Sequence, residues 1–286
     1  MGAEAVERAG IPAGTRVLVT GATGFTGTVL TRKLSAAGLD VSAITRSPPP
    51  GSLRDLPIRW IHGQVHDPAV VREAMVGVAY VFHVAAAYRA AGIADEVYRK
   101  VHVVSTQLLA EAARREPAFR RFVHVSTVGV HGHIEQPPAD ETYRFAPGDL
   151  YQATKAEAEL WLRDFAAKTG LPCTIIRPAA IMGADDTRLL KVFKLATQPV
   201  FPILGRGKCL YHLIHVQDLT DAMVLAATHP AAAGEVFIVG NPEPVRLEDM
   251  GRLIATTLGY PFRVVRIPAW PFFALAALCE AVCRPL

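Results

Sequence analysis

Cysteine is scarce in this chain. The four present, Cys173, Cys209, Cys279 and Cys283, form no C-x-x-C pair and no Cys/His set at zinc spacing. That excludes a disulfide scaffold and a structural zinc site, and reduced thiols of a cytoplasmic protein are the expectation. His131-Gly132-His133 is a lone H-x-H with no carboxylate or thiol beside it, so it is read as a polar loop and no residue is assigned to a metal. Runs of Lys and Arg are absent too. The net charge of +4 is spread over scattered residues and leaves no footprint for nucleic acid. The opening MGAEAVERAG has neither an apolar core nor a cleavage signature, and Val6 breaks the myristoylation pattern, so no signal peptide or lipid anchor is read there. Repeats and low-complexity runs are missing as well.

What is present is apolar bulk. At 51% hydrophobic over 286 residues, the chain can form one large domain or a main domain with a smaller one attached. Its organising stretch is VLVTGATGFTG at 17–27. A short apolar run is followed by Gly21, Gly24 and Gly27 at spacing G-x-x-G-x-x-G, then by helical periodicity up to Gly38. Strand, glycine turn and helix is the arrangement that binds a dinucleotide pyrophosphate. Side chains at Gly21 or Gly24 would obstruct the phosphates, and Gly27 lets the helix approach the strand. Thr23 and Phe25 lie in the same turn.

Further strands are predicted at 40–45, 58–63, 80–85, 122–126 and 173–177, with helices starting at Asp67-Pro68, running over 93–115 and running over 151–168. Strands alternating with helices imply an α/β fold, a Rossmann-type doubly wound parallel sheet. After 178 the pattern changes to helices with short strands at 210–214, 236–239 and 264–267. The expected division is a leader over 1–14, an NAD(P)-binding domain over 15–178, and a small C-terminal substrate-binding lobe over 179–286 that is interleaved with the sheet.

The tip of the second strand carries Thr45-Arg46 and no acid. An acid there would bind a ribose 2′-hydroxyl, whereas Arg46 can pair with a 2′-phosphate, so NADP is favoured over NAD. Gln64 and Val65, after the third strand, would lie beside the adenine. Ala85, Ala86 and Ala87, after the fourth, would let the cofactor run close to the backbone. Tyr151 and Lys155 stand at i and i+4 on one helix face, and Ser126-Thr127 ends the fifth strand. A phenol is a poor base at neutral pH, but an adjacent ammonium and an oxidised nicotinamide both favour phenolate. Tyr151 could then move the proton while the nicotinamide exchanges hydride, with Lys155 on the nicotinamide ribose and Thr127 on the substrate oxygen. Taken alone, Y-x-x-x-K is common on ordinary helices; here it stands in register with the glycine loop.

These pieces resemble the extended short-chain dehydrogenases/reductases, the NAD-dependent epimerase/dehydratase group. The matching segments are GATGFTG at 21–27, VFHVAAA at 81–87, RFVHVSTVGVHG at 121–132, YQATK at 151–155, IIRPAAIMG at 175–183 and HVQDLTDAM at 215–223. The resemblance assigns Gly21, Gly24 and Gly27 to the cofactor phosphates. It assigns Thr127, Tyr151 and Lys155 to catalysis and the backbone of Pro178, Ala179 and Ala180 to the nicotinamide side; Ser126 is counted with the cofactor residues. Three departures stand out. The family's V-N-V reads Val101-His102-Val103, its V-Y-G reads Val130-His131-Gly132, and its diphosphate-binding Arg is Tyr211.

The leading expectation is a reductase or dehydrogenase interconverting hydroxyl and ketone, with a fairly apolar small-molecule substrate lined by Tyr88, His131, Met182, Phe193 and Tyr211. A nucleotide-sugar epimerase or dehydratase with tightly held NAD is the alternative, and a non-catalytic cofactor sensor stands behind both. The apolar stretch over 269–283 is read as a helix packed on the lobe, in preference to an interfacial membrane helix as in steroid-type members of the family. A homodimer is compatible with this reading.

Overall fold

The computed structural model describes residues 4–87 and 94–283. The segment read as a leader carries a short helix, Glu4–Arg8 (α1), whose Ala5 and Val6 are buried. The elements then follow as β1 Arg16–Thr20, α2 Phe25–Ala36, β2 Asp40–Thr45, α3 Gly51–Arg54, β3 Ile58–His62, α4 Pro68–Met75 and β4 Tyr80–His83. After the undescribed residues come α5 Asp95–Arg99, a π-helical segment Lys100–Val104, α6 Ser105–Arg115, β5 Arg121–Val125, α7 Leu150–Thr169 and β6 Cys173–Pro178. The remainder is β7 Ala180–Met182, α8 Leu190–Ala196, β8 Phe201–Leu204, β9 Leu210–Tyr211, β10 Leu213–His215, α9 Val216–Thr228, β11 Val236–Val239, β12 Val245–Arg246, α10 Leu247–Leu258, β13 Val264–Ile267 and α11 Trp270–Cys283.

The chain forms two compact units, Met1–Gly183 with Ile214–Gly240, and Ala184–Leu213 with Asn241–Leu286. The first is built on a seven-stranded sheet in the order β11-β6-β5-β4-β1-β2-β3, parallel throughout. Both faces are covered, so alternate residues of each strand enter different cores. Val17 and Val19 of β1 pack with Leu30 and Leu34 of α2 and Leu219 and Met223 of α9. Leu18 between them packs with Val71 of α4, Leu109 of α6 and Leu162 of α7. This two-sided burial explains why the strands read as unbroken apolar runs.

Val236–Val239 does not belong to the smaller lobe, as its place in the sequence suggested. It is the seventh strand of the sheet, paired parallel to β6 with Val236 opposite Ile175. Residues 184–213 leave the sheet and form part of the second unit before α9 and β11 return to it, and that excursion masks the strand–helix alternation in sequence.

The second unit pairs β8 with β13 in parallel and β9 with β12 antiparallel. Its small core sets Phe201 against Phe262 and against Gly251 of α10, where an added Cβ would stand 2.7 Å from the Phe201 ring. The aromatics at the start of α11 are not packed away: Trp270, Phe272 and Phe273 are exposed. No helix among the described residues is long and apolar enough to cross a membrane.

Candidate active site

Because the strands run parallel, their carboxyl ends share one edge, and the order reverses direction between β1 and β4. Rossmann-type sheets take their ligands at such a crevice. The glycine turn stands there. Gly21 has φ +71°, and a Cβ on it would lie 2.8 Å from the Ala85 backbone. A Cβ on Gly27 would lie 2.0 Å from Gly21 O, so α2 can start this close to β1 only without a side chain. The N-terminus of α2 has Gly24 at its cap, no capping side chain and no acid in its first turn. Uncapped amides and a positive helix end fit a pyrophosphate. Thr23 and Gly24 are exposed and Phe25 half-buried.

At the neighbouring edge position β5 ends in Ser126 and Thr127. Thr127 Oγ1 accepts the Gly129 N–H at 3.1 Å and caps the turn Val128–His131. α7 follows, with Asp149 as its N-cap accepting Gln152 N–H at 2.8 Å, while Gln152 reaches back to Gly148 N at 2.6 Å. This fixes Tyr151, half-buried, in the first turn and Lys155 one turn on. Lys155 is 2% exposed, and Val125 O accepts one of its N–H bonds at 2.9 Å. Burial pulls its pKa down to about 8, partly opposed by the carboxylate of Glu159 another turn along.

Glu159 belongs to a buried network that sequence reasoning missed. It is fully buried and paired with an equally buried Arg177 on β6. Ser126 donates to the same carboxylate at 2.7 Å, and Arg177 also donates to Glu141 O at 2.9 Å and to His131 Nε2 at 3.1 Å. The i, i+4, i+8 run Tyr151, Lys155, Glu159 on one helix face, with an Arg inside an apolar strand, was the available signal.

This network corrects two expectations. His131 is 1% exposed and both ring nitrogens are spent: Nε2 accepts from Arg177, so Nδ1–H donates to Arg144 O at 3.1 Å. It braces the loop and presents nothing to a substrate. The Ser126 hydroxyl goes to Glu159 and its N–H to Ile176 O at 2.7 Å, so it supports the site from behind.

His83 and His124 lie beneath this edge, both fully buried. Thr20 Oγ1 bonds His83 Nδ1 at 2.7 Å, and Ser105 and Thr106 hydroxyls meet Nε2 at 3.1 Å. Burial, then the Lys155 charge, lowers the His83 pKa to about 3. His124 has no hydrogen-bond partner on either nitrogen, and its ring lies against those of His83 and Phe122.

Arg46 is exposed just past β2, where Thr45 Oγ1 closes a turn with Ser47. Gln64 is exposed, and Val65 leans on the core beside α4. Ala85 is buried, its N–H given to Thr20 Oγ1 at 3.2 Å; Ala86 is exposed, and Ala87 N–H is held by His102. Pro178 ends β6, and Ala180 and Met182 lie on β7, exposed and half-buried. Tyr88 lies outside the described residues. Phe193, exposed on α8, and Tyr211 on β9 belong to the second unit.

That unit holds a cavity of about 520 Å³ lined by Arg206, Lys208, Leu210, Arg246, Glu248 and Arg266 among others. Leu210 pairs with Arg246 and Tyr211 with Val245, so strand alternation turns Tyr211 to the face opposite these cations. Among the described residues, no group of three or more His, Cys, Asp or Glu could hold a metal.

A doubly wound parallel sheet with a glycine turn after β1 and a Tyr-x-x-x-Lys face at its carboxyl edge defines an NAD(P)-binding enzyme of the Rossmann class. The NAD-dependent epimerase/dehydratase family model matches residues 17–240. The chain is 32% identical to a 4-hydroxy-2-methyl-3-oxo-4-farnesyl-3,4-dihydroquinoline-1-oxide ketoreductase of Stigmatella aurantiaca, over 95% of this chain and 81% of the relative. It is 30% identical to a 2-alkyl-3-oxoalkanoate reductase of Stenotrophomonas maltophilia, over 93% and 82%. Among solved structures, the dTDP-glucose 4,6-dehydratase DesIV of Streptomyces venezuelae, with NAD bound, superposes with a TM-score of 0.74 at 26% identity, covering 88% of this chain and 84% of that one. The chain belongs to the NAD-dependent epimerase/dehydratase family of extended short-chain dehydrogenases/reductases.

Proposed function

We propose that this chain is an NADP(H)-preferring reductase or dehydrogenase that interconverts a ketone and a hydroxyl on a fairly apolar small molecule. The observation that carries it is the α7 face: Tyr151 in the first turn, and the buried ammonium of Lys155 one turn on, tethered to Val125 O at 2.9 Å. When bound, the nicotinamide supplies or accepts the hydride. In reduction the Tyr151 O–H gives its proton to the substrate oxygen, and in oxidation the Tyr151 oxygen takes it back. Lys155 stabilises the negative oxygen left on Tyr151, and Thr127 orients the substrate oxygen. Residues 15–178 would hold the cofactor through Gly21, Thr23, Gly24, Phe25 and Gly27, the ends of β3 and β4, and the backbone of Pro178 and Ala180.

The NADP preference rests on Arg46, exposed past β2 with no acid at the strand's tip. An apolar substrate is supported by Tyr211 in place of the diphosphate-binding Arg, since at that position a diphosphate would meet an aromatic ring and no guanidinium. The two relatives described above carry the names ketoreductase and reductase, which agrees with net reduction of a ketone.

The test measures NADPH consumption with apolar ketones and with nucleotide-diphosphate sugars, alongside NADP⁺ and NAD⁺ titrations of wild type and Arg46→Ala. Net NADPH oxidation by an apolar ketone is expected, with a cofactor preference that Arg46→Ala erodes about tenfold or more, the scale of one charged phosphate contact. Turnover of a nucleotide sugar on retained NAD, without net change in free cofactor, would promote the epimerase/dehydratase reading.

A further inference from the structure

His102 stands where the resemblance places an asparagine, in the π-helical segment Lys100–Val104, and it is fully buried. It touches two parts of the site at once. Its Nε2 accepts the backbone N–H of Ala87 at 3.0 Å. An amide can only donate, so Nε2 carries the lone pair and the ring proton sits on Nδ1. Nδ1 lies 2.8 Å from Thr154 Oγ1, which donates its own proton to Leu150 O at 2.9 Å and so receives the one from the imidazole. Thr154 is the residue before Lys155, and the Tyr151 ring stands edge-on to the imidazole at 5.3 Å and 86°.

We propose that His102 is a positioning residue that ties the Ala87 backbone to α7 beside Tyr151, held as the Nδ1–H neutral tautomer, and that it carries no proton in the reaction. This rests on the reductase reading for its consequence in turnover, but not for its geometry. The alternative, an imidazole relay behind Tyr151, would need a nitrogen that can gain or lose a proton near neutral pH. The groups facing the ring oppose that: Tyr98 from α5, Tyr151 and Lys155 from α7, and His83 at the end of β4. Burial first, then the Lys155 charge, then His83, lowers the His102 pKa to about 2. An asparagine also offers one donor and one acceptor, with the donor N–H at the same bond distance from the backbone and the acceptor oxygen one bond nearer, so it can replace both contacts if the Ala87 backbone moves in to meet it.

The direct test is ¹⁵N-histidine NMR on the cofactor-free protein from pH 5.5 to 8.5, with the His102 signal assigned by its loss in His102→Asn. The expected spectrum is a neutral Nδ1–H tautomer that does not move over this range. A titrating His102, or an Nε2–H tautomer, overturns the proposal whatever the enzyme's substrate proves to be. The second arm compares NADP⁺ affinity and kcat/KM against pH. His102→Asn should stay within about threefold of wild type, with a pH profile of unchanged shape, while His102→Leu should weaken NADP⁺ binding and lower kcat about tenfold or more, the loss of one or two buried hydrogen bonds. His102→Asn as impaired as His102→Leu, His102→Leu equal to wild type, or a pH limb that disappears in His102→Asn would each contradict it.

Discussion

Lys155 holds its charge against its surroundings. Burial drives its pKa down to about 8, and the Glu159 carboxylate holds it from falling further. The ammonium is therefore present below about pH 8 and lost as the pH rises through that value. In the proposed mechanism ketone reduction needs both that charge and the proton on Tyr151, so kcat/KM in the reductive direction should be level near pH 7 and fall above about 8. Glu159→Gln removes the opposing carboxylate, so its fall should begin at lower pH; coincident profiles for the two proteins would refute the coupling. Tyr151, Lys155 and the three glycines stand out in sequence because their spacing carries the geometry. Glu159, Arg177 and the bracing roles of His102 and His131 do not, since each depends on a partner 15 to 52 residues away across the sheet or helix layer, as in the His102–Thr154 and Arg177–Glu159 contacts.

The Glu159–Arg177 pair joins elements as well as side chains. It links α7 to β6, takes the Ser126 hydroxyl at the end of β5, and through Arg177 holds His131 and Glu141 O of the loop before α7. Removing one partner leaves the other charge buried, which costs about 3–5 kcal/mol, whereas an apolar pair of similar volume can restore much of it. Arg177→Met should therefore lower the urea midpoint strongly, and Glu159→Leu combined with Arg177→Met should recover part of the loss. A double variant no more stable than Arg177→Met alone would contradict this account. The strands of the sheet were legible because a two-sided parallel sheet needs unbroken apolar runs. The π segment at Lys100–Val104 was not, because a one-residue shift inside a long helix barely alters its periodicity. Val236–Val239 was misplaced because residues 184–213 intervene between the sheet's last two strands.

For the molecule as a whole, three histidines, His83, His102 and His124, lie fully buried in the first unit, all with pKa values below the ordinary 6.5 through burial first and Lys155 next. Below pH 6.5 the unfolded chain takes up protons that the folded chain refuses, so stability is complete above 6.5 and is lost as the pH falls. Each group contributes at most about 1.4 kcal/mol per pH unit, so the three together reach about 4. Urea midpoints should drop steeply between pH 7 and 5, and His124→Phe, which also removes two unpartnered nitrogens, should flatten that slope by about a third without loss of stability at pH 7. Midpoints independent of pH over that interval would contradict the buried, neutral assignment. The central claim, that Tyr151 carries the proton in a hydride-transfer enzyme, is tested most directly by Tyr151→Phe with NADP(H) affinity and turnover measured on the same preparation. The account predicts unchanged affinity and a kcat lower by about two to four orders of magnitude, the scale of a lost general acid–base; turnover within tenfold of wild type would contradict it.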